Sequence, residues 1–186
     1  MTPIEEALRS LVEFLEREKV PYMLVGALAG LAWGLRRATF DVDLTVWAGD
    51  GEDALAARLS GAFRSRAPDP RTFVRDTGVL PIEVGGVHAD IIFGRLPYEE
   101  SAIRRAPVVP VSGLNLRVCS AEDLIVHKIV SERPRDLEDV KDIIQARGKT
   151  LDRAYLDPIV RALSHDLSRR EIQDRYLGCF GLEAGK

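Results

Sequence analysis

The chain has 186 residues, 46% of them hydrophobic and 30% charged, which suits one globular domain with a helical extension better than two full domains. A net charge of −3 excludes a global attraction to phosphate polymers or anionic membranes, and no apolar run approaches the roughly 20 residues that span a bilayer. The opening Met-Thr-Pro-Ile-Glu-Glu is acidic and amphipathic, unlike a signal or transit peptide, so a cytoplasmic protein is expected.

Thr2-Pro3-Ile4-Glu5 reads as a helix start, with Thr2 as cap, Pro3 at the first helical position and Glu5 closing a capping box. Ile4, Leu8, Leu11, Val12 and Leu15 recur at helical spacing until Val20-Pro21. Tyr22–Val25 reads as a buried strand ending at Gly26, and the small residues from Gly26 to Ala32 suit a helix packed closely on a sheet. Asp41–Val46 alternates with period two. After the turn Gly49-Asp50-Gly51, residues 52–66 read as a helix, and Pro68 and Pro70 mark a loop. Residues 79–84 and 87–93 predict two strands joined at Gly85-Gly86, a hairpin signal. A short helix near 98–105 and strand-like pieces at 108–111 and 114–118 follow.

From Ser120 the texture turns helical. Ser120 caps a segment carrying Leu124, Ile125, Lys128 and Ile129. Pro134 breaks it, residues 137–146 resume the pattern, and further helices are expected near 154–163 and 169–176. The expectation is an α+β fold: a sheet-containing part over residues 1–119 and a helical part over 120–186 packed on it as one unit. Cys119 and Cys179 have no metal-type spacing and read as buried or partly buried thiols. The basic pairs Arg36-Arg37, Arg64 with Arg66, Arg104-Arg105 and Arg169-Arg170 read as solvated surface, so charge does not decide for or against an RNA substrate. His88, His127 and His165 form no ligand pattern, and Trp33 and Trp47 read as core or rim.

Chemistry concentrates on Asp41 and Asp43. Two residues apart on a strand, their side chains leave one face and repel each other unless a cation lies between them. A hard divalent ion with oxygen ligands answers that need. The plainer alternative is an edge strand with two solvated acids. The context favours the ion: Val25-Gly26-Ala27 aims backbone N–H groups at a nearby anion, and Asp90 is a lone carboxylate within the apolar strand Ala89–Phe93. A third acid from a neighbouring strand would complete a two-metal clamp.

The stretch from Val25 to Val46 resembles the signature of the polymerase-β-like nucleotidyltransferases, in which a glycine and a small residue precede a strand with Asp-x-Asp. More narrowly, Arg37-Ala38-Thr39-Phe40-Asp41-Val42-Asp43 is similar to the Arg-x-Thr-x-Asp-x-Asp pattern of the AbiEii-like group, many of them toxins of toxin–antitoxin pairs. Lys128, Arg133, Arg135-Asp136 and Asp139 resemble that group's later motif. The resemblance spans roughly residues 22 to 145. It implies a nucleotidyltransferase fold and metal-dependent transfer of a nucleoside monophosphate from an NTP to a hydroxyl of RNA, including a tRNA end, or of protein. A toxin with an antitoxin partner would follow.

On that scheme Asp41, Asp43 and Asp90 bind Mg2+ or Mn2+, and Asp90 helps deprotonate the acceptor. Gly26 and Ala27 cradle the phosphates, and Lys128 neutralises the triphosphate, where the ordinary alternative is a lysine snorkelling from its helix. Asp136 and Asp139 position Lys128 or the acceptor; the plain alternative is two acids favoured by a helix N-terminus. Ala27 departs from the serine or glycine usual there, leaving backbone N–H groups, Arg37 and Thr39 to meet the triphosphate. That departure motivates the other reading, a catalytically weak or inactive nucleotide-binding or interaction module that keeps the fold.

Overall fold

Thr2 starts helix α1 (Pro3–Arg17) with a reciprocal cap: its hydroxyl accepts from the Glu5 N–H at 3.3 Å and Glu5 accepts from the Thr2 N–H at 2.8 Å. Leu8, Leu11 and Leu15 on its inner face are fully buried, each contributing on the order of 2 kcal/mol by leaving water. The computed structural model describes residues 2–131 and 133–181, and these divide into two units, described separately below. The first takes the chain up to Ala29 and Ala38–Cys119; the second takes Gly30–Arg37 and the chain from Ser120 onward.

In the first unit, β1 (Tyr22–Val25) runs into α2 (Gly26–Ala32), whose last turn belongs to the second unit. There follow β2 (Val42–Val46), a 3-10 turn at Gly49–Gly51, α3 (Glu52–Ala62), β3 (Arg64–Ser65), α4 (Pro70–Thr77), β4 (Val79–Val84), β5 (Val87–Phe93), α5 (Pro97–Arg105), β6 (Val108–Val111) and β7 (Leu114–Arg117). Five strands form a sheet in the order β1-β2-β5-β4-β3, with β2 and β5 parallel and the other pairs antiparallel. β6 and β7 form a separate hairpin. Leu24, Leu44, Ile91, Leu80 and Ile82 lie on one face of the sheet and are fully buried. The mixed sheet flanked by helices is the α+β architecture that the hydrophobic periods predict.

Three local features differ from the sequence reading. The helix after Gly51 stops at Ala62, because Arg64 and Ser65 leave it to pair with Glu83 and Ile82 at the sheet edge. The stretch marked by Pro68 and Pro70 contains a helix, not only a loop. Asp69 caps α4 by accepting from the Thr72 N–H, and Pro70 occupies the first turn, where its missing N–H costs nothing. Pro134 likewise opens a helix rather than merely breaking one.

The second unit comprises segment 30–37 with α6 (Ala121–Val130), α7 (Pro134–Arg147), α8 (Arg153–Asp166) and α9 (Arg170–Cys179). The segment packs on α7. A Cβ on Gly34 (φ +109°) would fall 2.5 Å from Ala146, and Arg147 stacks over Trp33 at 5.1 Å. Ser120 caps α6 by accepting from the Asp123 N–H at 3.0 Å and donates to the Asp123 carboxylate at 2.8 Å. Tyr155 on α8 donates to the same buried carboxylate at 2.9 Å. Among the described residues no helix is long and apolar enough to cross a membrane.

Candidate active site

Strand register assembles the acids. Asp43 lies directly opposite Asp90 across the parallel pair β2–β5, so the two side chains leave the same face about one strand spacing, ~4.8 Å, apart. Asp41, one residue ahead of β2, shares that alternation. On the other face Val42, Leu44 and Val46 are buried at 0% exposure and anchor the strand in the core. Between the core positions, Thr45 follows Asp43 on the acid face and is also fully buried, with no hydrogen-bond partner for its Oγ1.

Gly26 explains how β1 meets this face. Val25 is the cross-strand neighbour of Asp43, and Gly26 turns the chain into α2 with φ +70°. A Cβ built on Gly26 would stand 1.9 Å from Asp43 Oδ2. Only glycine lets the carboxylate lie against the backbone there. Two motifs that are separate in sequence thus form one contact. Ala27 follows in α2 and is buried at 7% exposure; Thr39 is half-buried and Phe40 is 77% exposed beside Asp41.

The three acids differ in environment. Asp41 is well exposed, its Oδ1 4.0 Å from His88 Nδ1. Asp90 is half-buried. Burial pushes its carboxyl above the usual range, Arg66 pulls it down, Asp41 raises it again and His88 opposes weakly. Among the described residues no three His, Cys, Asp or Glu side chains are gathered into a ready metal cage. The donor set still fits a hard divalent ion. Its atoms are all carboxylate oxygens, they share one face, and the mutual repulsion felt at Asp90 is what a cation relieves.

In the second unit the remaining candidates join in one network. Lys128 is 5% exposed and donates from Nζ to Asp136 Oδ1 at 2.9 Å and to Asp139 Oδ2 at 2.5 Å. Arg37 grips Asp139 with two parallel bonds, 2.9 and 2.8 Å. Arg133 donates to Asp136 at 2.7 Å. Burial works against ionisation of both aspartates. Hydrogen bonds from Lys128, Ser131 and Arg133 outweigh it at Asp136, and those from Arg37 and Lys128 at Asp139, so both carboxyls sit below the usual range. Two of the three ammonium hydrogens of Lys128 are therefore committed to carboxylates within its own unit. Sequence spacing placed Asp136 and Asp139 on one helix face; it gave no sign that Arg37, about a hundred residues upstream by chain length, would share them, because that partnership is tertiary.

Two residues on the acid face were passed over in the sequence. Thr45 lies within the alternation already noticed. Arg66 reads in sequence as one of a solvated pair with Arg64; their spacing of two about the short β3 is the available signal.

No family model matches the chain, and no curated protein matches it in sequence. Among solved structures it is similar to the antibiotic-resistance factor ANT(2'')-Ia, at 18% identity and TM-score 0.55 over 90% of this chain and 94% of that one. It is similar to the lincosamide antibiotic adenylyltransferase LnuA with lincomycin bound, at 15% identity and TM-score 0.51 over 75% and 95%. An antigenic nucleotidyltransferase-like protein from Paracoccidioides brasiliensis matches at 15% identity and TM-score 0.54 over 92% and 91%. At these identities the likeness is one of architecture: the chain has the nucleotidyltransferase fold.

Proposed function

We propose that the protein is a metal-dependent nucleotidyltransferase moving a nucleoside monophosphate from an NTP to an acceptor hydroxyl. One observation carries the reading: Asp43 lies in register with Asp90, on the face Asp41 shares, with its carboxylate against Gly26. Asp41, Asp43 and Asp90 would hold Mg2+ or Mn2+, which when bound neutralises charge on the phosphates and on the departing pyrophosphate. Asp90, in register with Asp43 on the same face, takes the proton of the acceptor hydroxyl. The acceptor oxygen bonds to the α-phosphorus as the bond from that phosphorus to the β-phosphate oxygen breaks, and pyrophosphate leaves. Gly26 and Ala27 offer backbone to the phosphates, with Thr39 nearby in the chain. In the second unit, the roles of Lys128 and Arg37 toward the triphosphate, and of Asp139 in orienting them, rest on the AbiEii-like motif.

The same resemblance makes RNA, a tRNA end included, or protein the acceptor, and an antitoxin protein a partner. One structure similar in fold, ANT(2'')-Ia, is seen with adenylyl-2''-tobramycin, which belongs to a different acceptor class. The test offers each labelled NTP with magnesium and total RNA, lysate protein, tobramycin or lincomycin. Wild type is expected to transfer label to one of them, and Asp41→Ala and Asp43→Ala to lose about a hundredfold or more. Equal transfer by the variants, or none by wild type with any acceptor, would overturn the proposal.

Ala27, which brings no hydroxyl to the phosphates, favours a second reading: a nucleotide-binding module without turnover. Calorimetry showing NTP binding without pyrophosphate release would select it.

A further inference from the structure

One arginine on the acid face is not consumed by the fold. Arg64 and Arg66 stand two apart at the β3 edge. Arg64 pairs with Glu83 at 3.5 Å, while the Arg66 N–H donates to the Pro81 carbonyl at 2.9 Å. The Arg66 guanidinium is exposed and makes no hydrogen bond or ion pair among the described residues. The pairing of Arg64 with Glu83 and Ser65 with Ile82, continued by the Arg66 N–H on Pro81, sets the faces of both arginines. Glu83 and Pro81 are the cross-strand neighbours of His88 and Asp90, so Arg64, and Arg66 two residues on, project from the face that bears Asp90. Only β4 separates β3 from the strand of Asp90, about 10 Å between backbones.

We infer that Arg66 holds a phosphate of the acceptor, and that the acceptor is therefore a polynucleotide end rather than a polyamine sugar. This rests on the nucleotidyl transfer proposed above. Across the sheet the order is Gly26, Asp43, Asp90, Arg66. In an in-line displacement the leaving pyrophosphate and the attacking hydroxyl stand on opposite sides of phosphorus. With the triphosphate toward Gly26, the acceptor enters past Asp90 from β4 and β3, where Arg66 lies. A guanidinium meets phosphate with two parallel charge-assisted hydrogen bonds and repels a polycation.

The full chain is titrated with a dye-labelled short single-stranded RNA by fluorescence anisotropy at several salt concentrations, and with ATP by calorimetry. Wild type is compared with Arg66→Ala, Arg66→Lys and the surface control Arg104→Ala. Arg66→Ala is expected to weaken RNA binding about tenfold and to flatten its salt slope by about 0.7. Arg66→Lys should recover part of both, and Arg104→Ala and all ATP affinities should stay unchanged. Wild type that does not bind the RNA, an unchanged salt slope in Arg66→Ala, or a loss of ATP affinity in its place would overturn the assignment. Failure of nucleotidyl transfer itself would show separately, as no label moved by wild type to any acceptor.

Discussion

Asp43 and Gly26 illustrate how much one missing carbon decides. The carboxylate occupies the volume that a methyl group at position 26 would need, so Gly26→Ala must move Asp43 and strain a left-handed backbone at once. Displacement of a reacting group by about 1 Å costs on the order of a hundredfold in rate, and that loss is expected in single-turnover transfer by Gly26→Ala. Thr45 makes the opposite case. Its buried hydroxyl lacks a partner, so Thr45→Val is expected to raise stability by about 1 kcal/mol in urea unfolding. The acids were legible in the sequence, because period two alone puts Asp41 and Asp43 on one face. The burial of Thr45 was not, since period two puts it on the same face as Asp43, which is only part-buried, and nothing in the alternation separates the two.

At the scale of elements, α6 and α7 are joined by charge as well as by apolar packing. Removing one partner of a buried pair strands the other, at about 3–5 kcal/mol; Asp139→Ala, which leaves Lys128 and Arg37 short of an acceptor, is expected in that range by denaturant unfolding. The pH dependence has a definite sign. Asp136 and Asp139 have carboxyls depressed in the folded state, so their contribution is full above the unfolded carboxylate value, about pH 4, and is lost as pH falls below it through the folded values. Urea midpoints measured from neutral pH into this acid range should fall more steeply for wild type than for Asp139→Asn. Helix periods give the helices of this region, but α4 in the first unit is not visible in them, because Pro68 and Pro70 read as a loop whereas Asp69-Pro70 is a cap followed by a first-turn proline. A strand as short as β3 has no period to detect; only its pairing with β4 defines it.

At the scale of the molecule, segment 30–37 lies by sequence inside the first unit and by contact in the second. No composition change marks it, so it could not be read from the chain: its membership depends on Gly34 meeting Ala146, Trp33 meeting Arg147 and Arg37 meeting Asp139. A chain ending at Cys119 would leave these residues without their partners. Trypsin is expected to cut after Arg36 and Arg37 promptly in that fragment and slowly in the full chain, as peptide mapping would record.

The backbone therefore passes between the units more than once, and the helices after Cys119 are not a detachable cassette. A chimaera that borrowed its C-terminal helices from another protein would inherit an α7 with no matching notch for Gly34 and no carboxylate for the fork of Arg37. The eight residues from Gly30 to Arg37 would have to travel with the graft.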